Sequence, residues 1–248
     1  MVILFIATVV FKTARGQIIA AGMDSKDFDA RRNLWVSITL AAFLANNFWI
    51  LISIASILLI YAVRREQNKF ALTFFLMFSV PLFGAEISGF GLVNYLFELN
   101  YFRLLSLIIL LPTYFSLRTT RNKQKNARYV ADYLLMAYIA LGLIRQIQVD
   151  SVTNTARTLF YIGLDIFLPY YVASRSIKDI KSFTEVLAAF TLSAMIIGAI
   201  GVFELVKGWL LYNSLHDTLS IDWGYGQYLD RAGTLRAIAS TGQPIVLG

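Results

Sequence analysis

Eight apolar stretches separated by short charged loops make up most of this chain, and that alternation restricts it to one class of fold. They are Val2–Phe11, Leu34–Ala45, Phe48–Val63, Phe70–Ala85, Phe102–Leu117, Tyr129–Leu143, Ala156–Ala173 and Phe183–Val206; another begins after Arg236. Several approach the ~20 residues that a helix needs to cross a bilayer. Hydrophobic residues make up 58% of the chain, charged ones 15%, and mean hydropathy is +0.64. That leaves too little polar surface for a soluble domain. The expectation is an all-α, polytopic transmembrane bundle of seven to eight hydrophobic segments plus the start of another, forming one domain over 1–248.

Within that frame some segments are ambiguous. Val2–Phe11 is too short to span alone and reads as half a helix or a short buried segment. Residues 12–33, with Lys12, Arg15, Lys26, Arg31 and Arg32, read as a polar linker. Asn46 and Asn47 suit a turn. They predict a tight helical hairpin from Leu34 to Val63, with one long helix as the alternative. Phe70–Ala85 reads as a span kinked at Pro81. Residues 86–101 read as a loop carrying only acidic charges.

Charge sets the topology. The net charge is +7, and the basic residues concentrate in loops 64–69, 118–128 and 175–181. Lysine and arginine favour the cytoplasmic side, which puts those loops inside and loops 86–101, 144–155 and 207–236 outside. The charge therefore reads as a topology signal and not as a nucleic-acid surface. The 207–236 loop holds Trp209, Tyr212, Trp223, Tyr225 and Tyr228, either an interfacial belt or flat faces for sugar rings. Cysteine is absent, which excludes disulfides and thiolate sites, and a single histidine, His216, argues against a zinc site. No metal and no cofactor are expected. Phosphate-loop, dinucleotide, metalloprotease and nucleophile-elbow motifs are missing. Any chemistry must then use a substrate that brings its own energy.

Two arginines, Arg231 and Arg236, stand on the side where cations are disfavoured. Either they snorkel to lipid phosphates, or they grip a diphosphate, which a planar guanidinium does in paired fashion. After Arg236, the run Ser240-Thr-Gly-Gln-Pro244 resists regular helix, and unpaired amides there could bind an anion. Glu204, near the outer end of its span, reads as an acceptor-activating base, an arginine partner or a water-exposed lip residue. Asp165 lies inside a span, where a carboxylate needs a partner; Arg145 and Arg157 are the candidates for a structural pair. His216 is a base in principle and ordinary loop polarity otherwise.

Three stretches together carry a resemblance: Glu204 with Trp209-Leu-Leu-Tyr212; Arg231-Ala-Gly-Thr-Leu-Arg236-Ala; and Ser240-Thr-Gly-Gln-Pro-Ile-Val-Leu-Gly248. This order resembles the O-antigen ligase and polymerase superfamily, exopolysaccharide-cluster type. Leu34-Trp35 to Phe48-Trp49 and Arg103 to Pro112 also fit it. The resemblance implies a bacterial inner-membrane glycosyltransferase that uses neither metal nor nucleotide. It implies an undecaprenyl-diphosphate-linked glycan as donor, membrane lipids as surroundings, and Arg236, Arg231 and Gln243 as diphosphate contacts. Gln243 stands where relatives often have histidine or asparagine. The family's candidate catalytic histidine falls in a later outer loop, so the chain reads as an N-terminal fragment, inactive by itself. A flippase for the same lipid-linked glycan and a non-catalytic assembly subunit are the alternatives.

The charge pattern makes a direct prediction. An impermeant thiol reagent applied to intact cells should label a cysteine placed at 214 and spare one placed at 123; the reverse pattern contradicts the assigned sidedness.

Overall fold

A computed structural model describes residues 1–91, 93–121, 130–219, 221, 230–231, 234–242 and 247, with the backbone alone at 120, 121, 217, 230, 231 and 234. The chain is mostly helical: α1 Val2–Ala20, α2 Ser25–Leu44, α3 Phe48–Val63 and α4 Lys69–Leu76 come first. A hairpin follows, β1 Gly84–Ser88 with β2 Tyr95–Asn100. Tyr101–Leu105, Ser106–Leu110 and Leu111–Arg121 run on as one helix, α5, with a π-helical middle. Next come α6 (Val130–Val149) and α7, built from Val152–Ile162, π-helical Gly163–Phe167 and Leu168–Ser176. The long α8, Ile180–Lys207, leads to α9, Ser214–Leu219, and a two-residue strand pair, β3 Asp230–Arg231 with β4 Thr234–Leu235.

Among the described residues, four helical stretches are long and apolar enough to cross a membrane: Val2–Ala20, Tyr101–Thr119, Val130–Val149 and Ile180–Lys207. The protein is a helical membrane protein, and the two hairpins correct the all-α expectation.

The polar linker expected over 12–33 is helix. Helix α1 runs on past Lys12 and Arg15, because Ile3, Ala7, Phe11, Ala14 and Ile18 form one buried stripe at helical spacing. Arg15 reaches Asp29 on α2 at 2.9 Å. The break at Asn46-Asn47 is present: α2 ends at Leu44, and the Asn47 side chain accepts from the Trp49 N–H at 2.8 Å to start α3.

The span expected over Phe70–Ala85 stops early. Helix α4 ends at Leu76, and Pro81 lies in irregular chain beyond it. Irregular backbone at membrane depth survives where protein buries and satisfies it. Here Ser193 of α8 donates to the carbonyls of Phe74 and Phe75 at 2.8 Å, and Thr39 of α2 donates to that of Ser79 at 3.1 Å. Ser79 shares a 2.8 Å bond with the buried Tyr101 hydroxyl.

The loop expected over 86–101 is the β1–β2 hairpin, fastened by side chains. Arg157 donates to the carbonyls of Tyr95 and Leu96, and Arg103 to that of Glu98 at 2.8 Å. The Tyr161 hydroxyl accepts from the Glu98 N–H at 2.8 Å.

Two ends emerge. A cavity of about 720 Å³ is lined by Asp27, Gln67, Asn68, Ser176 and Lys181, so the turns at 21–24, 64–68 and 177–179 gather at one end. A second cavity of about 550 Å³ joins Asn47, Trp49, Glu86, Glu98 and Leu219 at the other. Basic loops 64–69 and 175–181 thus share an end, opposite the acidic hairpin.

At the basic end Arg31, 1% exposed, ties three elements together. Its Nε and Nη2 donate to Glu66 at 3.0 and 2.7 Å, and Nη2 also reaches Glu185 of α8. Breaking a buried pair strands its partners, at a cost of about 3–5 kcal/mol. Arg31→Met should therefore lower the thermal midpoint sharply in detergent, whereas Arg15→Met, whose pair is exposed, should leave it nearly unchanged.

Candidate functional site

Two of the sequence candidates, Glu204 and Arg236, lie at or just beyond the C-terminal end of α8. The helix closes at Gly208, whose left-handed φ of 61° lets the chain turn, and the Trp209 N–H bonds back to the Glu204 carbonyl at 3.3 Å. Glu204 is 1% exposed, which corrects the lip-residue reading. Its Oε1 accepts from the Leu211 N–H at 3.0 Å. Its Oε2 accepts from the N–H groups of Ile238 and Ala239 at 2.9 and 2.8 Å. One carboxylate thus holds three amides from two segments that follow the helix.

This clasp changes the view of the broken backbone after Arg236. The amides of Ile238 and Ala239 form an anion-binding concavity of the kind expected, but Glu204 fills it from within. Ala239 has φ 47°, a left-handed value uncommon outside glycine, followed by a short 3₁₀ turn, Ala239–Thr241, and Gly242 at φ 78°. Tyr212, 2% exposed and stacked on Phe43, has a hydroxyl without a hydrogen bond among the described residues; burial and then the Glu204 charge raise its pKa. The buried Ser240 hydroxyl also has no partner among the described residues.

Arg236 is half-buried, and among the described residues it makes no hydrogen bond or ion pair. Its neighbour Ala237 lines an apolar groove of about 470 Å³ along α8, with Phe78, Phe190, Gly198, Gly201 and Thr241. At Gly198 a Cβ would meet nothing within 4 Å, whereas at Gly201 it would come to 3.1 Å from the Leu247 side chain. The small residues of α8 here open space beside the helix as well as permitting close packing.

Not every candidate joins this site. The Arg231 backbone sits in β3 opposite Thr234, and Gln243 lies outside the described residues. His216 is half-buried on the short α9. Asp165 pairs with Arg103, not with Arg157 or Arg145: Arg103 Nε and Nη2 reach Asp165 Oδ2 at 3.2 and 3.1 Å. Arg103 also covers the Tyr161 ring at 3.7 Å. Arg157 is spent on the hairpin carbonyls. The two residues are 62 apart in sequence, so nothing local pointed to the pair. What the sequence reading missed is the clasp itself, whose signal was a glutamate placed before a glycine that ends an apolar helix.

Searches of protein-family models, curated proteins and solved structures find no match to this chain.

Glu204→Gln keeps the side-chain length but replaces one acceptor oxygen with a donor facing an N–H. An unsatisfied buried amide costs about 1–3 kcal/mol. Glu204→Gln should lower the thermal midpoint and increase hydrogen exchange at 238 and 239, and a variant that melts and exchanges like the wild type refutes the clasp.

Proposed function

We propose that the protein is a membrane glycosyltransferase of the O-antigen ligase and polymerase type, acting on a glycan carried by undecaprenyl diphosphate at the outer face of a bacterial inner membrane. In this reading the eight apolar stretches of the sequence cross the membrane, with the α4 stretch crossing as helix plus irregular chain. The observation that carries the proposal is Arg236, a half-buried guanidinium without a partner among the described residues, next in sequence to a residue lining an apolar groove. A lipid-linked diphosphate offers both complements: a chain for the groove and an anion for the arginine.

Arg236 would hold the diphosphate as its charge grows when the sugar–phosphate bond breaks, since donors aimed at developing charge stabilise the transition state. Glu204 supports it from below by fixing the Ile238 amide two residues on, and is assigned no proton transfer. Arg231 and Gln243 remain proposed contacts from the resemblance alone. The flippase alternative needs polar groups along the depth of a pathway, and the groove is walled by Phe78, Phe190, Ile197 and Leu205.

The test is donor turnover in membranes that contain the full-length protein, since the fragment alone is expected to be inactive. Arg236→Ala should cost roughly 3 kcal/mol, about a hundredfold in rate, with expression intact. Arg236→Lys should rescue in part, because lysine keeps the charge and loses the planar fork. Gly198→Phe, which grows into open space, should weaken donor binding without unfolding the protein. Full activity in Arg236→Lys with near-normal activity in Arg236→Ala refutes the diphosphate role and leaves a headgroup anchor.

A further inference from the structure

At the end opposite the basic loops, a cavity of about 550 Å³ lies between the start of α3 and the β1–β2 hairpin. Its lining is of two kinds. Trp49, on the first turn of α3, lines it and is 43% exposed; Glu86 and Glu98 of the hairpin line it too, and Asn47 joins them. We propose that this cavity binds a neutral saccharide and rejects an acidic one. The proposal rests on the cavity and not on transfer from a lipid-linked donor; under the proposed function, this is where an acceptor glycan would lie.

Three features support the assignment. The first is the aromatic wall. Phe48, 2% exposed, meets the Trp49 ring edge-on at 5.3 Å and the Phe83 ring at 6.3 Å, so the indole stands on buried rings. The Asn47 side chain accepts from the Trp49 N–H at 2.8 Å and fixes the backbone beneath it. A supported indole gives the C–H face of a sugar ring a flat apolar surface at little entropic cost. The second is a pair of acceptors. Glu86 and Glu98 are partners across the hairpin, a register that puts both side chains on one face of the ladder. Like charges so placed repel, and little among the described residues offsets them. Glu86 makes no hydrogen bond or ion pair there, and Arg103 Nη1 stands 3.8 Å from the Glu98 carboxylate, its guanidinium engaged by Asp165 and the Glu98 carbonyl. Ionised carboxylates accept and do not donate, so they suit the hydroxyls of a neutral sugar and repel a sugar acid. Carboxylates alone would suit any cation; the indole beside them selects a ring. The third is rigidity. Arg157 and Tyr161 of α7 fasten the hairpin backbone, and Glu98 lies so close to Gly84 that a Cβ there would come to 2.5 Å from its Oε1. The carboxylates are thus placed before a ligand arrives. The volume falls within the range of about 300–1,000 Å³ usual for small-molecule sites.

Cellobiose, N,N′-diacetylchitobiose and the acidic cellobiouronic acid are each titrated onto the full-length protein in phosphatidylcholine nanodiscs, and binding is read by saturation-transfer NMR on the sugar protons. At least one neutral disaccharide should bind saturably, and the acid should not. Trp49→Ala should weaken that binding by about tenfold or more, and Trp49→Phe should restore part of it. Glu86→Gln, at an exposed position, should weaken the neutral sugar severalfold and narrow its margin over the acid; it serves alone if Trp49→Ala does not fold. Arg236→Ala should bind these sugars as the wild type does, so this site and the donor site fail separately. Absence of saturable binding by both neutral disaccharides overturns the site, as does binding that folded Trp49 and Glu86 variants leave unchanged, or equal binding of the acid. Spermidine that binds in a Glu86-dependent way where the sugars do not makes the cavity a cation site and overturns the proposal as well.

Discussion

The constraint on which this structure rests is the cost of burying polar groups among apolar helices. Each buried polar group must find its partner in protein, at a cost of several kcal/mol if it does not. The irregular chain after α4 meets that requirement through three hydroxyls, on Ser193, Thr39 and Ser79. The segment after α8 meets it through one carboxylate, Glu204. The turn before α4 meets it through Arg31, Glu66 and Asn68. Side chains replace the regular backbone ladder wherever the helices break, and the breaks are where the chain gains shape.

The same requirement separates structural cations from available ones. Arg31 is enclosed by carboxylates, Arg103 by Asp165 and a carbonyl, and Arg157 by the hairpin backbone. Each is explained by what it holds. Arg236 is half-buried and holds nothing within the described residues. Its placement costs solvation that no described group returns, and the anion in the proposed function would return it.

Much of the fold could be read in the sequence because bilayer crossing is a property of composition. The Asn46-Asn47 break, the long α8 and the segregation of basic loops all follow from residues close together in the chain. The failures share a cause. Lys12 and Arg15 made α1 look too short because hydropathy was weighed and not the stripe from Ile3 to Ile18. Pro81 was placed in a helix that had already ended, since the hydroxyls that stabilise the break come from residues 39 and 193. The Arg103–Asp165 pair, the Glu204 clasp and the pairing of Arg31 with Glu66 and Glu185 are all contacts across the bundle, and no local pattern encodes them. Arg236 stands out in the sequence as a cation on the side where the charge pattern disfavours one, and in the fold as a half-buried guanidinium with no partner among the described residues.

Helix α8 links both ends of this account. Glu185 near its start joins the Arg31 cluster, and Glu204 near its end holds the outer segment. Nineteen residues separate them, roughly 28 Å along an α-helix and close to the thickness of the hydrocarbon layer. Between those anchors, Ala194, Gly198 and Gly201 keep one side of the helix low. A helix pinned at both ends resists sliding and tilting, so a groove along its flank keeps its shape without help from the lipid. The chain can then use bulk-free residues on a transmembrane helix without losing the position of the arginine above them. The two carboxylates make that separation possible: they fasten the two ends of α8, and the groove between them is where the proposed ligand would lie.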